Sequence, residues 1–165
     1  IWRRLVGSEM CIRDRYHGDY AERKKNGGYI IYGRSDATLN PGGVRLGTAE
    51  IYSVIENFKE VKESIVVGQK WDNDVRIILF VVMSKSYSLN DDIILRLKKR
   101  IRSEASPRHV PSKIIQVSDI PRTKNGKIVE LAVKNTIEGS KIKNVQALAN
   151  PKVLNEFKNL KQLKF

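Results

Sequence analysis

The chain has 165 residues, with 31 Lys and Arg against 18 Asp and Glu, a formal net charge of +13. That length suits one domain, or one small domain with appendages. No apolar run is long enough to span a membrane, and no signal peptide with a basic start, apolar middle and small-residue cleavage site is visible, so a soluble cytoplasmic protein is expected.

In chain order, the first fifteen residues stand apart. Leu5 to Asp14 reads LVGSEMCIRD, the translation of one frame of a transposase sequencing adapter, and Arg15 follows from its last bases. Residues 1–15 are therefore expected to be non-native and are set aside. Trp2 and Cys11, the sole cysteine, go with them, so no disulfide, thiol or metal argument survives. Setting aside Arg3, Arg4, Arg13 and Arg15 with Glu9 and Asp14 lowers the net charge by two and leaves it strongly basic. The native sequence is expected to be cut at Tyr16, making this a fragment.

Tyr16 to Tyr20 reads YHGDY, a turn around Gly18-Asp19, and Asn26-Gly27-Gly28 is a hairpin signal before the β-type run Tyr29 to Tyr32. Thr48 is placed to cap a helix whose buried face carries Ile51, Val54, Ile55 and Phe58. Ser64 to Gly68 and Ile77 to Met83 read as buried strands. Asn90 caps the next helix, with Asp91 and Asp92 in its first turn and Ile94, Leu97 and Ile101 on its core face. Lys98, Lys99, Arg100 and Arg102 gather at its end, where the dipole favours cations. Pro107 and Pro111 frame a loop, and Lys113 to Val117 is another strand. A polar loop over Pro121–Gly126 leads to a helix over Ile128–Ile137 that ends at Gly139. Asn150-Pro151 starts a last helix carrying Val153, Phe157 and Leu160. Helices and strands alternate without long parallel βαβ units, so the class is α+β.

Chemistry concentrates in Gly33 to Glu50, GRSDATLNPGGVRLGTAE, and in Pro121 to Lys127, PRTKNGK. Glycine permits positive φ and close backbone approach, and arginine's flat fork of donors suits anionic oxygens. Each residue alone reads as a polar hairpin tip, a turn or a solvated surface charge; the ordered combination is harder to explain as packing. His109, in PRHVP, reads as a loop histidine with no carboxylate visibly paired, and Glu50 as structural at a helix start. A basic nucleic-acid-binding module is compatible with the charge. Against it, the lysines are spread along the chain and no RNA-binding aromatic motif appears.

With YHGDY, the Gly33–Glu50 segment, SPRHVP, GKIVELAV and NVQALANP, the chain resembles the adenylate-forming acid–CoA ligases over essentially all of 16–165. Within that superfamily it is most similar to the acetoacetate-activating branch, with the acetyl- and propionyl-activating enzymes as the alternative. The resemblance implies the small mobile C-terminal domain, a β-hairpin and a small mixed sheet flanked by helices. It divides the chain into the end of a large N-terminal domain (16–35), the mobile domain (36–139) and a tail with a helix (140–165). It implies two steps, acyl-adenylate formation from the acid and ATP, then acyl transfer to coenzyme A, with domain rotation between them. Lys127 then matches the catalytic lysine of adenylation. Asp19 matches the ribose-binding aspartate, with His17 in place of the usual threonine, and Arg34 and Arg45 match nucleotide contacts. Asp36 matches the hinge, and Gly43 and Arg102 coenzyme A contacts. Magnesium enters with ATP and is held largely by the absent domain, and no metal ligands are assigned here. A fragment of this kind is expected to be inactive alone. Neither nucleic acid nor membrane is expected as a partner.

Overall fold

The computed structural model describes residues 19–34, 38–142 and 145–164. The chain opens with an antiparallel hairpin, β1 (Asp19–Arg23) and β2 (Tyr29–Arg34), turned at Lys24 to Gly28. Asp19, expected in a turn, instead begins β1. The GRSDATLNPGGVRLGTAE segment then makes a short antiparallel bridge, Leu39 to Leu46, around a 3-10 turn at Pro41–Gly43. Helix α1 (Thr48–Ile55) follows. Its N-cap is Gly47 with no side-chain cap, so Thr48 lies inside the first turn and is buried rather than capping it.

The central sheet has three strands in the order β3 (Val61–Trp71), β4 (Asp74–Met83), β5 (Lys113–Gln116). β3 and β4 are antiparallel, and β4 and β5 are parallel. The two long strands meet at Trp71 and Asp74 across a two-residue turn. Asp72 and Asn73 there both have positive φ, 48° and 61°, the conformation that matches strand twist in tight hairpins. Helix α2 (Asp91–Glu104) crosses from β4 to β5 and is capped as expected: Asn90 Oδ1 accepts from Ile93 N at 2.9 Å. Its fully buried face is Ile93, Leu97 and Ile101; Leu97 and Ile101 stand as expected, whereas Ile94 is only half-buried and Ile93 takes its place.

Strand alternation divides the core in two. Val66, Ile77, Leu79 and Val81 face α1 and α2, packing with Ile51, Val54, Ile55 and Leu97. Ile65, Val67, Ile78 and Phe80 face the opposite layer, built from α3 (Glu130–Ile137) and the tail. Each such side chain, fully buried, contributes roughly 1.5–3 kcal/mol. The tail is thus part of the core, with Leu148, Leu154, Phe157 and Leu163 all buried. Instead of the expected α-helix it forms 3-10 turns at Val145–Ala147, Pro151–Phe157 and Lys161–Leu163. Bonds from Val153 N to Asn150 O (3.1 Å) and from Lys158 N to Asn155 O (3.2 Å) have the i→i+3 spacing of that conformation. Leu154 rather than Val153 reaches full burial. Among the described residues no helix is long and apolar enough to cross a membrane.

Candidate functional site

Lys127 sits on the polar turn between β5 and α3. Three bonds close that turn: Thr123 N to Lys127 O (2.9 Å), Gly126 N to Thr123 O (2.8 Å) and Lys127 N to Thr123 Oγ1 (3.1 Å). Gly126 takes φ +76°, a left-handed conformation that few side-chain-bearing residues adopt cheaply. The Lys127 side chain is left exposed. Arg122 braces the turn from below. Its Nη1 donates to Gly126 O at 2.9 Å, and its Nη2 pairs with Glu63 Oε2 on β3 at 2.8 Å.

The glycine loop lies on the other layer, leading into α1. Gly42 and Gly43 have φ +58° and +75°, and a Cβ on either would meet nothing within 4 Å. The loop is open on its outer side but tethered beneath: Gly42 N donates to both carboxylate oxygens of Asp74 at 2.9 Å. A cavity of about 560 Å³ opens beside it, lined by Asn40, Gly43, Lys70, Trp71 and Asp72–Val75. Arg76 stacks over the Trp71 ring at 3.7 Å. Arg45 is exposed on the same loop, and Arg102 is exposed near the end of α2. The flanks of the two motifs pack on opposite sides of the sheet: Leu39 and Leu46 beside the glycine loop, and α2, which carries Arg102, join the α1/α2 core, whereas Ile120 and Val129 beside the lysine turn join the α3 core.

One relay joins the layers around the β3 edge. Val66 N donates to Tyr52 Oη at 3.0 Å, and Tyr52 Oη donates to Glu130 Oε1 at 2.5 Å. Burial, then the Glu130 charge and hydrogen bond, push the phenol well above its ordinary pKa, so it remains a donor. The relay also occupies an edge N–H that would otherwise be unpaired. Tyr52 and Glu130 carried no sequence signal for this role.

His109 corrects the expectation of an unpaired loop histidine. It is 4% exposed, its Nδ1 lies 2.8 Å from Ser106 Oγ, and its Nε2 is 2.6 Å from Glu50 Oε2. That second contact is close but makes no aligned hydrogen bond. Burial lowers the imidazole pKa, and the Glu50 charge opposes the shift. Ser106 also accepts from Arg108 N at 3.3 Å, capping the 3-10 turn at Pro107–His109. Glu50, at the start of α1, thereby ties that helix to the segment after α2. The cluster is a packing joint in which His109 is buried and Glu50 remains about half exposed.

In the hairpin, Asp19 and Arg34 are direct Cα partners, so the register brings the two expected nucleotide contacts opposite one another. His17 and Asp36 lie outside the described residues.

This is the architecture of the C-terminal domain of adenylate-forming enzymes, and residues 50–127 belong to the AMP-binding enzyme C-terminal domain family. More particularly, the chain is 57% identical over 148 residues to acetoacetyl-coenzyme A synthetase of Rhizobium meliloti, covering 90% of this chain and 23% of that protein. Acetoacetyl-CoA synthetase of Gallus gallus is 44% identical over 149 residues, covering 89% and 22%. The solved acetoacetyl-CoA synthetase from Streptomyces lividans superposes with a TM-score of 0.80 at 34% identity, covering 92% of this chain and 23% of that one. The chain thus spans about a quarter of the length of the relatives it matches.

Proposed function

We propose that the chain is the C-terminal part of an acid–CoA ligase that activates acetoacetate. Residues 16–35 would end the large domain, 36–139 form the mobile domain and 140–165 the tail. In the first step a carboxylate oxygen attacks the α-phosphorus of ATP and pyrophosphate leaves. Lys127 brings its ammonium to the carboxylate and α-phosphate oxygens, where charge builds up in the transition state. Asp19 accepts from the ribose hydroxyls, since a carboxylate can accept two at once, and Arg34 and Arg45 contact the nucleotide. Rotation about Asp36 then exchanges the presented face. In the second step the thiol of coenzyme A attacks the acyl carbon and AMP leaves. The loop at Gly43 admits the pantetheine arm, and Arg102 meets the nucleotide end of coenzyme A.

What supports this reading is that the residues flanking the glycine loop, Leu39 and Leu46, pack on one side of the central sheet and those flanking the lysine turn, Ile120 and Val129, on the other. A rotating domain would present the lysine turn in the first step and the glycine loop in the second. Among the described residues no group of three His, Cys, Asp or Glu side chains is placed to hold a metal ion. Magnesium would accompany ATP on the rest of the enzyme. The enzyme would act in the cytoplasm.

The test is acid-dependent ATP–pyrophosphate exchange by the full-length enzyme. Acetoacetate should support exchange at the highest kcat/KM among short acids. Preference for acetate or propionate would refute the acid assignment, and exchange with none of them would refute the ligase reading.

A further inference from the structure

The tail does more than fill the core: it forms one wall of the lysine turn. Thr123 bridges Leu148, Lys124 N donates to Ala147 O at 3.0 Å, and Ala149 N donates to Arg122 O at 2.8 Å. Asn150 stands at the junction. Its Oδ1 accepts from Arg122 N at 2.9 Å, and its Nδ2 donates to Asp119 Oδ2 at 2.7 Å and to Ile120 O at 2.9 Å. The expectation that Asn150 caps the last helical segment is therefore replaced: it makes no cap bond and spends its amide on the lysine turn. Both amide hydrogens and the carbonyl are engaged, so the side chain has one satisfied orientation.

We propose that Asn150 and Arg122 are positioning residues for Lys127 in the adenylation step, an inference that rests on the adenylation role read for Lys127 above. A lysine side chain is long and flexible, so the backbone from which it projects sets where the ammonium can dwell. Asn150 fixes Arg122 at the entrance of the turn. The Arg122 guanidinium then fixes Gly126, the residue before the lysine, against Glu63 of β3. Tail, turn and sheet form one closed chain of contacts. Neither residue acts on substrate directly.

In the full-length enzyme, Asn150→Ala and Arg122→Ala should each slow acid-dependent ATP–pyrophosphate exchange about 10- to 100-fold in kcat, the scale on which small misplacements act. The KM for ATP should change less than about threefold, and thioester formation from added acyl-adenylate should be unchanged. Amide hydrogen exchange should quicken at Lys124 and Lys127 and stay unchanged at Phe80 in the sheet. Equal loss of both half-reactions overturns the proposal, as does loosening of the turn with adenylation intact. If Asn150→Ala is not recovered folded, Arg122→Ala, at a half-exposed side chain, decides alone. Absence of exchange in the unsubstituted enzyme would sink the ligase reading and this role together, an outcome distinct from failure of the variants.

Discussion

Phe157→Ala tests whether the tail belongs to the domain core. Phe157 is fully buried, and its ring meets that of Phe80 at 4.9 Å and 73°, edge to face. Truncating a buried phenylalanine costs about 3–5 kcal/mol through lost transfer energy and the cavity left behind. The aromatic pair places this site in the upper half of that range, at about 4–5 kcal/mol. In a domain of this size each kcal/mol moves Tm by about 4 °C, so the variant should melt roughly 16–20 °C lower. Urea denaturation followed by circular dichroism measures it, with the midpoint falling and the m-value constant. Phe157→Leu should lose less, about 1–2 kcal/mol. A loss below about 1 kcal/mol for Phe157→Ala would refute the packing, because the ring would then not be held between α3 and the sheet.

Asp74→Ala releases Gly42 from its tether at the foot of the glycine loop. An exposed charge-assisted bond of this kind is worth about 1–2 kcal/mol. Thioester formation in the full-length enzyme should therefore slow up to about tenfold while pyrophosphate exchange stays within about twofold; equal slowing of both would refute the assignment of this loop to the second step. The buried His109 has a lowered pKa, so below its ordinary value of about 6.5 the unfolded chain binds a proton that the folded one excludes. Stability is complete above about pH 6.5 and falls as the pH drops below it. Wild type should lose more Tm than His109→Gln between about pH 7.5 and about pH 5.5, and equal losses would contradict the burial effect.

What the sequence disclosed was local. The apolar runs of β3 and β4, the Asn90 cap and the glycine turn before β2 are each specified within a few residues, and each stands where expected. On α2 Leu97 and Ile101 are buried as expected, but Ile93 takes the first core position in place of Ile94, because the two are chemically equal and only packing against the sheet chooses between them. Asn150-Pro151 carries a helix-start signal, yet tertiary bonds to Asp119, Ile120 and Arg122 claim its amide. The Glu50–His109 contact and the Tyr52–Glu130 relay join residues far apart in the chain, so no spacing rule could reveal them. The candidate site residues rest on motif resemblance. That the flanks of the glycine loop and of the lysine turn pack on opposite sides of the sheet depends on strand alternation across two cores, which no local motif encodes.

The proposed function assigns Lys127 to adenylation and the glycine loop to thioester formation. Its most direct test is Lys127→Ala in the full-length enzyme, with each half-reaction measured separately. Acid-dependent ATP–pyrophosphate exchange should fall at least about a hundredfold, the scale of removing a charge-stabilising donor. Transfer of the acyl group from preformed acyl-adenylate to coenzyme A should continue at the wild-type rate. Equal loss of both half-reactions, or retention of both, would rule out that role for Lys127.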